Sequence, residues 1–475
     1  MSQPPAFIQH VVELIRGGRQ TFPITTSLLV TTLTIILLLK LCEERTWVSY
    51  TLDKITRTKM NLLQTTWTHY LYAAAAAAHA YVVYTKSKRA RFPPGPFPLP
   101  LIGNALGILG QPLHVTFAQL QKKYGIFSCE GKTFSTQKTM VRKMLAEVNW
   151  DDEDAAEKRI QGIGRDLVAW LAETGKPVDP QIYLDTAVCN VTSGPLMSIT
   201  FKPTDDLMLA VSKIAMDIFI DAGAQNVNNY FTFLRDMPGD PTNYHVLMKN
   251  ASTAMDVLSG VITSHKEKMV ENPSSPPADF IDHYLQMMQS GAEPTCTDAQ
   301  LLAVVTDLFA MGIEATATML RWALLLLSQH PQVQTRIQKE IDEVMGKTTP
   351  SLAHQPEMNF TNSAITEIKR YVNLVSINLP HAATEDAIFQ GFFIPKGAVV
   401  LPNLASIHYD EETYAEPMTF KPDRFIEGGS FQKPKKFMPY SAGVRSCLGQ
   451  TVSQWQIFLF LTAILQKFNV SLSGM

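Results

Sequence analysis

Apolar residues recur at helical spacing through most of the chain, and the longest such run, "DAQLLAVVTDLFAMGIEATATMLRWALLLLSQH" from Asp298 to His330, is hydrophobic nearly all round. A helix without a polar face is usually buried at the centre of a fold. His330-Pro331 should end it, because the residue before a proline is pushed out of the α region. Helical runs also precede it ("LDTAVCNVTSGPLMSI", "TAMDVLSGVITSHKEKMV") and follow it ("AITEIKRYV"). The texture then changes to short β-rich pieces with Pro/Gly turns, "FQGFFIPKGAVVLPNLASI", before a last apolar helix, "QTVSQWQIFLFLTAILQKF". The pattern predicts a mainly α fold with a small β-sheet region.

The N-terminal stretch reads differently. Ile24 to Cys42, "ITTSLLVTTLTIILLLKLC", carries Lys40 as its only charge and has about the length that spans a bilayer. Trp67 to Tyr84 forms a second apolar segment, spanning or interfacial, and the basic cluster Lys86 to Arg91 marks the cytosolic flank. Residues 1–91 are therefore expected to be a membrane-anchor region, with helices at 24–42 and 67–84, and residues 92–475 a cytosolic domain. Buried core helices are the alternative reading of residues 24–84. The stiff run "RFPPGPFPLPLIGN" would be the hinge.

Composition narrows the function. A chain of 475 residues, 46% hydrophobic, can bury a large core, and a net charge of −2 gives no field that would draw nucleic acid. The five cysteines, Cys42, Cys129, Cys189, Cys296 and Cys447, are scattered and odd in number, which argues against a disulfide framework and for a reducing compartment. No C-x-x-C pair, phosphate loop or G-x-S-x-G elbow occurs. Cys447 is the best-framed reactive group, in "PYSAGVRSCLG" at a loop-to-helix junction where unpaired amides stabilise a thiolate, the form a metal takes. A packed free cysteine is the plain alternative.

The frame around Cys447 resembles the haem-binding loop of the cytochrome P-450 superfamily. Three further motifs appear in that family's order: Glu367-Ile-Lys-Arg370 resembles the E-x-x-R helix, "FKPDRF" around Arg424 its downstream partner, and "LFAMGIEATATML" the oxygen-binding central helix. The stretches "LPHAATED" and "FIPKG" are most similar to the microsomal branch. The resemblance, from about Arg91 onward, implies a cytochrome P-450 fold, incomplete here, and haem b held by the Cys447 thiolate, which favours O–O cleavage. Gly443 and Gly449 would allow close backbone approach, and Tyr440, where the family usually has Phe, would shield the sulfur. Arg445 and His381 match propionate contacts, as does Lys138 in Phe134-x-x-x-Lys138, which replaces the family's Trp-x-x-x-Arg. Glu367, Arg370 and Arg424 match a structural triad. Arg142, Lys143, Lys435 and Lys436 would form a basic patch for an acidic reductase, or a solvated face.

The resemblance also breaks. On the central helix Gly312 and the acid Glu314 match the family, but Ala315 stands at the alcohol position and Thr316 follows one place late. Gly312, Glu314 and Thr316 are the expected catalytic residues. "QKKYG" at Gly125 runs straight into "IFSCEGKTF", where the family places several dozen residues, and the chain stops short of the final hairpin. The resemblance implies a monooxygenase of the endoplasmic reticulum membrane that inserts one oxygen atom from O2 into an apolar small molecule: a lipid, a steroid or a xenobiotic. Electrons would come from NADPH through a flavoprotein reductase, with cytochrome b5 a further donor. The alternatives are a haem-thiolate isomerase or dehydratase of lipid hydroperoxides, and a non-catalytic truncated haem binder.

Overall fold

The computed structural model describes residues 131–212, 244–376, 378, 381–400 and 402–472. The expected anchor, the hinge and the Gly125–Ile126 junction lie outside the described residues. Ten α-helices run through the described chain: α1 Gly131–Glu147, α2 Glu153–Glu173, α3 Gln181–Met197, α4 Tyr244–Glu271, α5 Phe280–Ser290, α6 Asp298–Gln329, α7 Pro331–Val344, α8 Asn359–Val372, α9 Ala405–His408 and α10 Gln450–Lys467.

Local chemistry sets their ends. Asp152, Asp279 and Thr297 are extended N-caps whose side chains accept from the amides of Ala155, Asp282 and Gln300, opening α2, α5 and α6. Proline needs no intrahelical partner for its missing N–H at the first position, so Pro331 both stops α6 and starts α7. Asn373 closes α8 in the left-handed region at φ 43°.

Two apolar clusters form the core, and α3 and α6 belong to both. One joins α2, α3, α6, α7, α8 and α10 around residues such as Ile160, Val188, Leu320, Ile337 and Phe458. The other joins α1, α3, α4, α5 and α6 around Val141, Leu196, Phe280, Leu301 and Ile313. The long apolar run is thus the central helix the pattern predicts. Although α6 is long and apolar enough to cross a bilayer, more than half of that apolar stretch is buried against other helices. The crossing with α3 is close: a Cβ on Gly312 would lie 2.8 Å from Thr192 Oγ1.

The β-rich region is small. Among the described residues it comprises three antiparallel pairs: β1 His381–Ala382 with β4 Val399–Val400, β2 Ala387–Phe389 with β3 Phe392–Ile394, and β5 Ile426–Glu427 with β6 Ser430–Phe431. His381 lies opposite Val400, and Ile388 opposite Phe393.

Candidate functional site

The site is built on a loop held from below by buried charge. On α8, Arg370 Nε donates to Glu367 Oε2 at 2.8 Å, and Arg424 Nε donates to Glu367 Oε1 at 3.0 Å. Arg370 is fully buried and also donates to the carbonyls of His408 and Pro417, each at 2.8 Å; Arg424 donates to the carbonyls of Ala415 and Thr419. One carboxylate and two guanidiniums thereby fasten α8 to the irregular segment before the Cys loop. The carboxylate is paired twice, and backbone carbonyls take the remaining guanidinium donors, which is what makes burial tolerable.

His408 carries this framework forward. Its Nδ1 faces Asn373 Oδ1 at 2.8 Å, and its Nε2 accepts the Met438 amide at 3.1 Å. Neutral imidazole with the proton on Nδ1 satisfies both partners, and burial, with the nearby Arg370 charge, pushes the group down to about 4. The folded value lies below the unfolded one, near 6.5. This contribution is therefore intact above pH 6.5 and is lost as pH falls through 4, on the order of 3 kcal/mol in all. Urea denaturation at several pH values should show this limb, and His408→Gln should flatten it.

From Met438 the chain turns into the Cys loop. Ser441, at φ 62°, and Gly443, at φ 77°, occupy left-handed conformations. The Cys447 amide donates to the Tyr440 carbonyl at 3.0 Å, and α10 begins three residues on. Cys447 is free and solvent-accessible, yet the protein atoms around it desolvate the sulfur and push the thiol up, opposed by a backbone hydrogen bond from Gly449. The amide stabilisation expected of a helix start is present but smaller than the desolvation. A Cβ added to Gly443 or Gly449 would meet no protein atom within 4 Å, so the space beside the loop is open at both glycines.

Cations gather on one side of this space. The Arg445 guanidinium stacks on the Phe134 ring of α1, 3.4 Å from its centroid, where the expected motif would offer an indole N–H. Lys138, one turn along α1, donates to the Val444 carbonyl, and its amine is lowered first by burial and then by the charges of Arg142 and Arg445. Positive charges close enough to disfavour one another suit an anion. His381 sits apart on β1, half-buried, and its ring makes no hydrogen bond among the described residues.

Each of the expected catalytic residues of α6 has a protein partner. Gly312 is the contact point with Thr192 on α3. Glu314 is buried and accepts from Thr318 Oγ1 at 2.6 Å and Arg321 at 3.0 Å, beside Asp185, whose carboxyl burial pushes up. The Thr316 hydroxyl bonds Ser453 Oγ at 2.9 Å, early in α10. Met311, 39% exposed, and Ala315 are open instead, one turn apart on a helix otherwise mostly buried. Thr192, Arg321, His408 and Ser453 drew no notice in the sequence, because their roles come from partners far along the chain. The spacing Glu314-x-x-x-Thr318-x-x-Arg321, i to i+4 and i+7, was the available signal for one of them.

An accessible sulfur on a charge-braced loop, open space at its glycines and cations for carboxylates, all on a mainly helical body, fit a haem group and define a haem-thiolate protein. The chain belongs to the cytochrome P-450 family, whose profile matches residues 126–474. It is 32% identical over 443 residues to cytochrome P-450 2D3 of Rattus norvegicus, spanning 80% of this chain and 87% of that protein. It is likewise 32% identical over 434 residues to cytochrome P-450 2E1 of Sus scrofa, spanning 80% and 86%. Family members bind haem through a cysteine thiolate and are monooxygenases that use O2, small-molecule substrates and redox partners. The chain is accordingly a haem-thiolate monooxygenase.

Proposed function

We propose that Cys447 is the axial thiolate, that Arg445 and Lys138 pair with the propionates, joined by His381, and that Met311 and Ala315 line the oxygen and substrate side. The observation that carries this reading is Cys447, exposed and in no disulfide, on a loop with open space at Gly443 and Gly449. When bound, the haem supplies oxygen activation, and the thiolate favours O–O cleavage. Tyr440 holds the Cys447 amide through its carbonyl and so fixes where the sulfur points. The guanidinium of Arg445, held flat by Phe134, offers a fork to a carboxylate.

The substrate is an apolar small molecule, a lipid, steroid or xenobiotic, as the open side chains of Met311 and Ala315 are apolar. Electrons come from NADPH through a flavoprotein reductase, with cytochrome b5 a further donor. Arg142, Lys143, Lys435 and Lys436 are all exposed and supply the docking charge. The protein works at the endoplasmic reticulum membrane with its catalytic domain on the cytosolic side, in keeping with the family-2 relatives.

One observation favours a second reading, an isomerase or dehydratase of lipid hydroperoxides. No hydroxyl stands at Ala315, and that of Thr316 is engaged with Ser453. A substrate that brings its own O–O bond needs no proton delivery to bound oxygen. Turnover with reductase and NADPH, set against turnover of a fatty-acid hydroperoxide without NADPH, separates the two: NADPH-dependent oxygenation supports the first reading, and NADPH-independent rearrangement alone overturns it. Under the first reading, Ala315→Thr should raise the product formed per NADPH severalfold, measured as product against NADPH consumed and hydrogen peroxide released.

A further inference from the structure

Lys369 stands between Glu367 and Arg370 in sequence but takes no part in their ion pairs. It is 7% exposed, and no hydrogen bond or ion pair of its amine occurs among the described residues. The Nζ lies 5.5 Å from the centroid of the Tyr440 ring. Tyr440 in turn accepts the Cys447 amide through its carbonyl, and Ser453, which meets Thr316 of α6, lies beside its hydroxyl. A lysine that only covers apolar surface keeps its head in water. This one does not: desolvation, then repulsion from Lys433, lowers its amine to about 7. A buried amine without a carboxylate costs stability that an uncharged residue at this place would not.

We propose that Lys369 is a positioning residue that, through the face of Tyr440, sets the charge environment of the Cys447 thiolate and thereby the reduction potential of the bound iron. This rests on the reading of Cys447 as the ligand. A cation behind the ring stabilises the thiolate negative charge, reduces its donation to the iron, and favours the state that has gained an electron. Among the described residues the groups that face the amine are Lys433 and the Tyr440 ring, while Glu367 and Arg370 of its own helix are paired with each other, and Glu367 also with Arg424.

The test is a potentiometric titration of the purified, haem-loaded full chain and of Lys369→Met and Lys369→Arg, at pH 6 and pH 8. The reduced carbonyl spectrum of each is recorded first, to establish thiolate ligation. Lys369→Met should lower the potential, more at pH 6 than at pH 8, while its thermal midpoint stays level or rises because a buried charge is gone. Lys369→Arg should recover much of the potential. Equal potentials for wild type and Lys369→Met at pH 6, with thiolate bands in both, overturn the proposal and leave the ligand assignment standing. A wild-type spectrum without the thiolate band overturns the ligand assignment and this inference together.

Discussion

Arg370→Leu is expected to yield protein that holds almost no haem. Glu367 is fully buried, and the substitution removes two of its ion-pair hydrogen bonds, leaving Arg424 and the Lys421 amide to satisfy it. It also strands the carbonyls of His408 and Pro417. Breaking a buried pair by removing one partner typically costs about 3–5 kcal/mol, a large part of the stability of a folded domain. His408 links this cluster to Met438, so the loss reaches the Cys loop directly. Haem content per chain and the urea midpoint are the readouts. A double replacement of Glu367 and Arg370 by leucine should cost less than the sum of the single changes, since the buried Glu367 charge goes with its partner and only Arg424, still bonded to the carbonyls of Ala415 and Thr419, loses its carboxylate. A loss below about 1 kcal/mol for Arg370→Leu would mean the cluster does not brace the loop.

Cys447→Ser should do the opposite: spare the fold and remove the chemistry. The sulfur is accessible and in no disulfide, so stability of the haem-free chain should change by no more than about 0.5 kcal/mol. The serine hydroxyl cannot supply thiolate donation to iron, and monooxygenation should be abolished. The low-spin ferric resonance spectrum should lose its thiolate character. The contrast between a destabilised Arg370 variant and a stable but inactive Cys447 variant separates support from ligation within one loop.

How much of this was legible in the sequence depends on what each residue's role requires. The central position of α6 could be read because it needs only the absence of a polar face, and the ends at Asn373 and Pro331 need only local chemistry. The Glu367–Arg370 pair is local too, one helical turn, and the motif order pointed to Arg424. The orientation of α6 could not be read. Gly312, Glu314 and Thr316 lie within two turns, yet they face Thr192, Arg321 and Ser453, and no periodicity says which neighbour will occupy which side. Nothing in the sequence singles out Lys369, and only packing within the fold, with the Tyr440 ring beside it, makes it a buried amine. Phe134 was a lost donor in the sequence and is a stacking platform in the structure.

The measurement that tests the account most directly is the carbon monoxide difference spectrum of the dithionite-reduced, detergent-solubilised full chain. A Soret band at the thiolate position is expected, showing that the Cys loop folds around haem with the Cys447 sulfur on iron. A band at the position of a neutral ligand, or no haem signal from properly folded protein, would contradict the assignment of this loop as a haem-thiolate site.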